Sequence, residues 1–436
     1  MMARVGALGI VLAACSTATV ERRGPIAWQP AIEVATGGGE KGPWQQNNSR
    51  YDYVDDPSVA LDPDGGAAVV WVDQARKEVL LQRYDRRGAP RWSDPIRVSR
   101  SPDVFSWLPR IVLSPTQPED VFVLWQEIVF SGGSHGGETF FARSLDGGAT
   151  FDTPLNLSRS VAGDGKARLD KDSWHNGSLD LAIAPSGDIH VAWTEYDGPL
   201  WVSRSADRGA TFTPPLRIAT GTTAPARAPT LAIGTDGSVH LAWTIGEDPR
   251  ADLRLARSTD GGASFGAPAI VAVTPGYSDA PKLAVDAAGT LHLVHGEHAG
   301  GPRGPAAIHY QRSRDGGVTW ESSRVLSRPT PSAAFPSLIA GTDGQVCVSW
   351  ELIPAGAELP RGLGITCSRD GGSTFFAATD VAHGRDPAGG WNGSQQGRLM
   401  RKLALRDGAL AIVNSSLEHG DRSRVWLIRG VLVGSR

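Results

Sequence analysis

The sequence predicts an all-β fold built from one repeated unit, and three observations favour it. A turn motif recurs along the chain, each well-formed copy follows two apolar strands, and Gly (53) and Pro (30) together make 83 of 436 residues. Because Gly and Pro interrupt helices, a chain this rich in them turns often. Regular internal repeats are typical of arrays in which each unit buries its apolar face against its neighbours.

The turn motif occurs in five well-formed copies and one degenerate copy. A representative copy is Ser258-Thr-Asp260-Gly-Gly262-Ala-Ser264-Phe265. The aspartate can accept hydrogen bonds from backbone N–H groups of its own loop, and glycine adopts backbone angles closed to other residues. The motif therefore predicts a hairpin turn with a structural role. Its six aspartates, at intervals of 61, 61, 53, 55 and 55 residues, are Asp85, Asp146, Asp207, Asp260, Asp315 and Asp370.

Two strands joined by a tight turn precede each well-formed copy. In residues 229–243, one alternating apolar strand leads to the turn Asp236-Gly237, and a second strand ends at Trp243. This pattern predicts an inner hairpin. A seventh hairpin runs from Leu403 through Val413, and the six before it end at Trp71, Trp125, Trp193, Trp243, His295 and Trp350.

Seven hairpins and six turns leave the last unit without an outer strand, and the N-terminal segment can supply it. Residues 28–36 match the outer strand of the third unit, since Trp28-Gln-Pro30 corresponds to Phe212-Thr-Pro214. We expect this segment to pair with residues 424–429 and so hide the edges of the array. The prediction is a seven-bladed β-propeller of four-stranded blades. A six-bladed propeller is the alternative, with residues 401–429 as a cap.

The motif S-x-D-x-G-x-T-[FW] resembles the Asp box of bacterial sialidases and related BNR-repeat β-propellers, from about residue 84 to residue 375. The resemblance implies that the boxes are structural and lie away from the active site. A retaining sialidase uses three arginines on the substrate carboxylate, a tyrosine nucleophile paired with glutamate, and an aspartate acid/base. By residue type, the corresponding candidates are Arg110, Arg227, Arg398, Tyr277, Glu297 and Asp170. The early Arg-Ile-Pro string of sialidases is absent, and sialidases have six blades.

The N-terminal residues predict export. Residues 1–14 have the pattern of a signal peptide, residues 15–27 that of a tether, and residues 28–436 that of a single propeller domain. Leu12-Ala-Ala-Cys15 resembles the lipobox of bacterial lipoproteins, which implies lipidation of Cys15 and anchoring to the cell envelope, at the outer membrane or cell surface. In the alternative, the signal is cleaved in the ordinary way and Cys15 is incidental.

One pair of positions changes jointly along the repeat. In the third to fifth units a histidine lies three residues before the hairpin end and an arginine lies just before the box serine; the pairs are His190 with Arg204, His240 with Arg257, and His292 with Arg312. In the sixth unit these positions are Cys347 and Cys367. The joint change predicts cross-strand neighbours and a disulfide, with two separate buried thiols as the alternative. The repeated histidines are expected to be structural.

The face opposite the boxes is expected to carry function, because blade-to-blade connections meet there. One ring of residues should line the central channel: Ser58, Arg110, Asp180, Thr230, Lys282, Ser337 and Lys402. Carboxylates two residues after the hairpin end should stand beside it: Asp73, Glu127, Glu195 and Glu297. Cations can hold an anionic group, and paired carboxylates can act as acid and base. The alternative is a salt-bridged channel lining without a ligand.

Two long connections, residues 162–178 and 384–401, carry Trp174 and Trp391 among polar residues, a composition suited to sugar stacking. We therefore expect a surface-anchored propeller that binds a glycan or a cell-surface protein on this face. An exo-acting sialidase-type hydrolase on an anionic sugar is the alternative. The net charge of -3 disfavours nucleic-acid binding. No cofactor or metal is expected, the membrane is contacted through the lipid anchor alone, and the protein is expected to be a monomer.

Overall fold

The computed structural model describes residues 20–433, apart from residues 44, 46, 129–136, 160–178, 195–198, 220–225, 246–251, 273, 275, 302–303, 394–399 and 419. In these ranges the regular secondary structure is β-strand, joined by turns and loops. None of the described segments forms a helix long and apolar enough to cross a membrane.

Six sheets have four antiparallel strands each, and we number these blades 1 to 6 in chain order. Blades 1 to 3 contain β4 (Val54–Leu61), β5 (Ala67–Asp73), β6 (Glu78–Tyr84) and β7 (Ile96–Arg97); β8 (Ser106–Leu113), β9 (Val121–Glu127), β10 (Glu138–Ser144) and β11 (Leu155–Asn156); and β12 (Leu179–Ile183), β13 (Ile189–Thr194), β14 (Leu200–Ser205) and β15 (Leu216–Ala219).

Blades 4 to 6 contain β16 (Ala226–Ile233), β17 (Val239–Ile245), β18 (Asp252–Ser258) and β19 (Ala269–Ala272); β20 (Tyr277–Val285), β21 (Leu291–His298), β22 (Ala306–Ser313) and β23 (Arg324–Val325); and β24 (Ser332–Ala340), β25 (Val346–Ile353), β26 (Leu363–Ser368) and β27 (Thr379–Asp380). In every blade the strands are hydrogen-bonded in chain order.

The remaining sheet, which we call the closing sheet, has seven strands. They are β1 (Glu21–Arg23), β2 (Ile26–Trp28), β3 (Ile32–Gly37), β28 (Trp391–Asn392), β29 (Leu403–Arg406), β30 (Ala409–Glu418) and β31 (Arg422–Leu432). The N-terminal β3 pairs with β31, with Ile32 opposite Leu427 and Thr36 opposite Arg424. This pairing confirms that an N-terminal strand completes the last sheet.

The prediction of seven four-stranded blades is wrong. Six sheets are four-stranded blades, as in the six-bladed alternative, and the closing sheet is larger than any of them. The reason is the length of its two central strands, which have 10 and 11 residues. β30 is long enough to pair with both β28 and β29, and β31 with both β2 and β3.

Apolar packing between neighbouring sheets holds the ring together. The tryptophans near the ends of the second strands are at most 2% exposed: Trp71, Trp125, Trp193, Trp243 and Trp350. Each such ring removes a large apolar area from water, which is the main stabilising term in folding. The closing sheet shares one apolar cluster with blade 6 and another with blade 1, so the ring of sheets is continuous.

Five inner strands have a β-bulge at the same place, directly before a proline. The residue at each bulge has a positive φ between 47° and 56°; these residues are Asp56, Leu108, Ala228, Ala280 and Phe335. Proline disfavours the α conformation in the residue before it, and a bulge inserts one unpaired residue and bends the strand. The bulges therefore change which side chains share a face at the beginning of each inner strand.

The Asp boxes form closed hydrogen-bonded turns. In blade 4, Asp260 accepts bonds from the Ser258 hydroxyl (2.7 Å), the Ser264 backbone N–H (2.9 Å) and the Ser264 hydroxyl (2.5 Å). A Cβ added to Gly262 would lie 3.0 Å from Nδ1 of His190 on blade 3. Because His190 lies just after the turn between β12 and β13, the box and the inner hairpin turns share one face. We call the opposite face, where the inner strands begin, the loop face.

The histidine, arginine and cysteine positions are direct cross-strand partners. His190 pairs with Arg204 in blade 3, and Cys347 pairs with Cys367 in blade 6. The two cysteines form a disulfide, with their Cα atoms 4.1 Å apart.

Candidate functional site

Charged side chains from several sheets meet on the propeller axis. Nε of Arg110 lies 3.8 Å from Oδ1 of Asp180, and Nη2 of Arg401 lies 2.5 Å from Oδ2 of the same carboxylate. Lys282 lies close enough for the charges of all three groups to shift its pKa. Burial, and after it the nearby charge of Arg110, lowers the pKa of Lys282 to about 7. Asp180 thus neutralises part of a cationic cluster that is largely closed to water.

The segment 400–402 runs through this cluster and occupies the axis. The hydroxyls of Ser58 and Ser337 donate to the carbonyl oxygens of Arg401 and Met400, each over 3.3 Å. Met400 is fully buried, and the Arg110 guanidinium contacts its sulfur. The ring expected at an open channel mouth is therefore covered by the chain itself.

Lys402 belongs to a second buried network. Its Nζ lies 2.5 Å from Oε1 of Glu351 and 2.9 Å from Oδ1 of Asn414, and the amide of Asn392 donates to the other carboxylate oxygen of Glu351. The Lys402 and Glu351 side chains are 3% and 1% exposed. Of the candidates in these two networks, Arg110, Asp180 and Lys402 lie in buried ion pairs, and Lys282 lies beside the first of them.

Two other candidates, Arg227 and Tyr277, meet where blades 4 and 5 adjoin, near the beginning of their inner strands. The guanidinium of Arg227 donates to the hydroxyl of Tyr277 and lies 5.4 Å from the centre of its ring. Nη2 of Arg227 is 3.7 Å from Oδ1 of Asp279, and the ring of His298 packs edge-on against Tyr277 at 5.8 Å. We call these four residues the Tyr277 cluster.

The Tyr277 cluster combines buried and accessible groups. Tyr277 and Arg227 are 4% and 5% exposed, whereas Asp279 and His298 are half-buried. Burial lowers the pKa of His298 below its ordinary value, although Asp279 and Glu297 oppose this effect. The imidazole is therefore neutral at pH 7 and able to accept a proton.

The structure does not bring Glu297 to Tyr277. Glu297 lies directly opposite Ser278 and accepts a hydrogen bond of 2.6 Å from the Ser278 hydroxyl, while Tyr277 lies opposite His298. Because successive residues of a strand point to opposite faces, Glu297 and Tyr277 lie on different faces of the β20–β21 pair. The cause is the bulge between Asp279 and Lys282. Without its extra residue, Glu297 would oppose Asp279 and share the face of Tyr277.

The two other described candidates lie apart from the Tyr277 cluster. Glu127 is fully buried, where it accepts bonds from Nε1 of Trp125 (2.9 Å) and from the Ser101 hydroxyl (2.5 Å). Burial raises its pKa above the ordinary value. Trp391 lies on the short strand β28, half-buried, with the guanidinium of Arg361 5.6 Å from its ring centre.

Five candidates lie outside the described residues: Cys15, Asp170, Trp174, Glu195 and Arg398. Other residues at the site are not among the sequence candidates: Asp279, His298, Glu351, Arg361 and Arg401. Asp279 could have been found from its place directly before the bulge residue Ala280. Within the described ranges, no group of three or more His, Cys, Asp or Glu is placed to hold a metal ion.

The four-stranded blades and the hydrogen-bonded Asp boxes define a sialidase-like Asp-box β-propeller. Residues 66–348 match the BNR repeat-like domain, and the chain belongs to this family. No curated protein matches the chain in sequence.

Solved structures with low sequence identity share the fold. The polysaccharide lyase Uly1 is 13% identical with a TM-score of 0.58, covering 93% of this chain and 100% of its own. An ulvan lyase bound to GlcA(1-4)Rha3S is 12% identical with a TM-score of 0.56, covering 93% and 96%. The α-L-arabinofuranosidase of Fusarium graminearum is 13% identical with a TM-score of 0.51, covering 78% and 98%. The chain is thus similar in fold to carbohydrate-active propellers.

Proposed function

We propose that this protein binds an acidic carbohydrate on the loop face, at the Tyr277 cluster. The observation that carries the proposal is the contact between the Arg227 guanidinium and the Tyr277 hydroxyl, beside the half-buried His298. A guanidinium is suited to carboxylate or sulfate, and its attraction is stronger where water is largely excluded. The ligand would reach it from the side of Asp279 and His298, the accessible members of the cluster.

Two further points support an acidic sugar as the ligand. The ulvan lyase of similar fold is bound to a saccharide that contains glucuronic acid. The hydroxyl, imidazole and carboxylate of the Tyr277 cluster are groups that can bond to sugar hydroxyls. Likeness of fold is an analogy for function, so the proposal depends on the side chains of the cluster.

Calorimetric titration of the full chain with polyuronate oligosaccharides tests this proposal. We expect Arg227→Gln to weaken binding about tenfold or more, because a charge-assisted bond is lost. Arg254→Gln, on the third strand of the same blade, is the matched control and should leave the affinity unchanged. Equal affinity in wild type and Arg227→Gln would refute the proposal. If the protein binds a protein partner and no glycan, partner binding replaces carbohydrate binding as the function of this face.

A second candidate function is lyase chemistry on a uronate sugar, and the separation of Glu297 from Tyr277 favours it over sialidase-type hydrolysis. The hydrolase needs the tyrosine and glutamate paired, whereas β-elimination needs a cation, a base and an acid. Arg227 would bind the uronate carboxylate, and neutral His298 would take the proton from the adjacent carbon. The electron pair would form a carbon–carbon double bond, the glycosidic C–O bond would break, and the leaving oxygen would take the Tyr277 hydroxyl proton.

The new double bond, conjugated with the carboxylate, absorbs ultraviolet light, so the lyase reaction is directly measurable. We expect absorbance to grow with wild type and to be nearly abolished by Tyr277→Phe, which removes one oxygen atom. Glu297→Gln should retain the activity, because Glu297 lies on the other face of the strand pair. Release of a free sugar without new absorbance would instead support a hydrolase.

The proposal includes the location of the protein. An exported chain anchored through a lipid on Cys15 would display the loop face outside the cytoplasm. Fractionation of bacteria that produce wild type or Cys15→Ser tests this part. We expect wild type in the membrane fraction and the variant in the soluble exported fraction. The same distribution for both would contradict lipid anchoring.

A further inference from the structure

A second feature of the loop face lies between blade 6 and the closing sheet. A cavity of about 690 Å³ is lined by Arg361 and Arg385, by the apolar Pro331, Leu352 and Pro354, and by Asp386. Its volume lies within the range of small-ligand sites, about 300 to 1,000 Å³. The cavity shares no residue with the Tyr277 cluster, which lies between blades 4 and 5.

The position of Arg361 is fixed by its surroundings. Its backbone N–H donates to the carbonyl of Leu352 over 2.7 Å, and its guanidinium stacks on Trp391. Asn392, next to Trp391, accepts from the Gly362 N–H over 3.0 Å and donates to the Gly362 carbonyl over 2.9 Å. The short strand that carries Trp391 is therefore clamped to the loop that carries Arg361. A cation held in this way loses little conformational freedom when it binds.

Two glycines make room for the two arginines. A Cβ on Gly389 would lie 2.9 Å from Nη2 of Arg361, and a Cβ on Gly362 would lie 2.7 Å from Cγ of Arg385. Both glycines have positive φ, at 99° and 88°, so another residue there would be strained as well as crowded. The backbone thus approaches both arginine side chains closely.

The charges along the cavity are unbalanced. Nη2 of Arg385 lies 3.4 Å from Oδ2 of Asp380, and the other oxygen of this carboxylate pairs with Arg328. The Asp386 carboxylate is buried and accepts hydrogen bonds from the Ser416 hydroxyl over 2.7 Å and from the Ala388 N–H over 2.9 Å. Among the described residues, no carboxylate lies within ion-pair distance of Arg361. An anion in the cavity would therefore meet a net positive surface.

We propose that this cavity is a second carbohydrate subsite, in which Arg361 and Arg385 hold the carboxylate of an acidic sugar. The apolar wall of Leu352 and Pro331 would face the C–H side of the sugar ring. This inference rests on the proposed function for the class of its ligand. It adds a separate contact point, so that an acidic polysaccharide would be held at two places on the loop face.

The test uses sodium D-glucuronate as probe, glucose as neutral control, and saturation-transfer NMR to measure binding. The parent protein is Arg227→Gln, so that the Tyr277 cluster does not contribute. We expect this parent to bind glucuronate at least about tenfold more tightly than glucose. Adding Arg361→Gln or Arg385→Gln should weaken glucuronate binding about tenfold each, since each removes a charge-assisted contact. Arg314→Gln, at an exposed arginine of blade 5 outside the cavity, is the matched control.

The outcomes separate this inference from the proposed function. If the Arg227→Gln parent binds no glucuronate, or binds it equally after both cavity arginines are replaced, the second subsite is refuted. Suppose instead that Arg227→Gln binds glucuronate and polyuronate as tightly as wild type does, while the cavity variants no longer bind glucuronate. The proposed function then fails and the subsite stands. Melting temperatures of all variants, compared with wild type, identify any loss of binding caused by misfolding.

Discussion

Arg204 of blade 3 donates a hydrogen bond of 2.9 Å from Nη1 to the carbonyl oxygen of Gly261 in the Asp box of blade 4. Arginines at the same position in other blades also donate a hydrogen bond to a backbone carbonyl in the Asp box of the following blade; they are Arg83, Arg143 and Arg312. No box follows blade 6 in the sequence, and there Cys367 takes the place of the arginine. The arginines therefore join blades that would otherwise be held mainly by apolar packing, and the change to cysteine occurs where no acceptor turn follows.

Replacement of Arg204 should destabilise the propeller. We expect Arg204→Ala to lower the free energy of unfolding by about 1.5 to 3 kcal/mol, because the Gly261 carbonyl loses a charged donor. Urea unfolding measures the change. Arg314→Ala, at a side chain that is 64% exposed and paired at the surface, should cost less than about 1 kcal/mol. Equal effects of the two changes would show that the inter-blade bond contributes nothing.

Acid should weaken the Asp boxes. Hydrogen bonds led by the Thr211 hydroxyl lower the pKa of Asp207 to about 2, and the pKa of Asp260 is also lowered, first by the Ser264 hydroxyl. A carboxyl whose folded pKa is depressed stabilises the fold above its unfolded pKa of about 4, and this contribution is lost as pH falls through about 2.

We therefore expect Asp207→Asn to be less stable than wild type at neutral pH and to approach it below about pH 2. Urea unfolding over a series of pH values gives the comparison. Asp64→Asn, at an exposed turn aspartate outside the boxes, is the control. A constant gap between Asp207→Asn and wild type at every pH would contradict this account of the box carboxylates.

The disulfide should stabilise blade 6. It closes a loop with a sequence separation of 20, which corresponds to about 3 kcal/mol in the chain-entropy model. We expect wild type to melt at a lower temperature after reduction under denaturing conditions and refolding in a reducing buffer. The Cys347→Ala/Cys367→Ala variant should melt at one temperature with or without reductant. A wild type whose melting is unchanged when the bond is shown to be reduced would contradict the prediction.

The repeated turns, the closing strand and the neighbouring cysteines could be predicted from the sequence, because each depends on local spacing. The closing sheet was harder to predict, since β28 has two residues and no periodicity. The path of segment 400–402 across the axis depends on contacts with Ser58 and Ser337, far away in the chain. No local pattern encodes such a path.

The candidate site shows a second limit of sequence analysis. Arg227 and Tyr277 were both predicted as functional residues, and the structure brings them into contact across 50 residues of sequence. The expected partnership of Tyr277 with Glu297 fails because a single extra residue at Ala280 shifts the register. Strand alternation makes any assignment of a shared face sensitive to one such bulge.

The buried pair of Lys402 and Glu351 should show strong coupling. We expect Lys402→Met to cost about 3 to 5 kcal/mol, since it leaves the Glu351 carboxylate buried without its cation. Lys402→Met/Glu351→Leu should recover a large part of this loss. A double-mutant cycle by urea unfolding measures the coupling energy. Strictly additive effects of the two single changes would show that the pair does not act as a unit.

A crystal structure with a bound uronate oligosaccharide would test whether the loop face binds an acidic sugar at the Tyr277 cluster. We expect density for a sugar whose carboxylate lies against Arg227, next to Tyr277 and His298. Two results would contradict binding at this cluster. One is a sugar bound on the face that carries the Asp boxes, and the other is a Tyr277 cluster left empty in crystals saturated with the oligosaccharide.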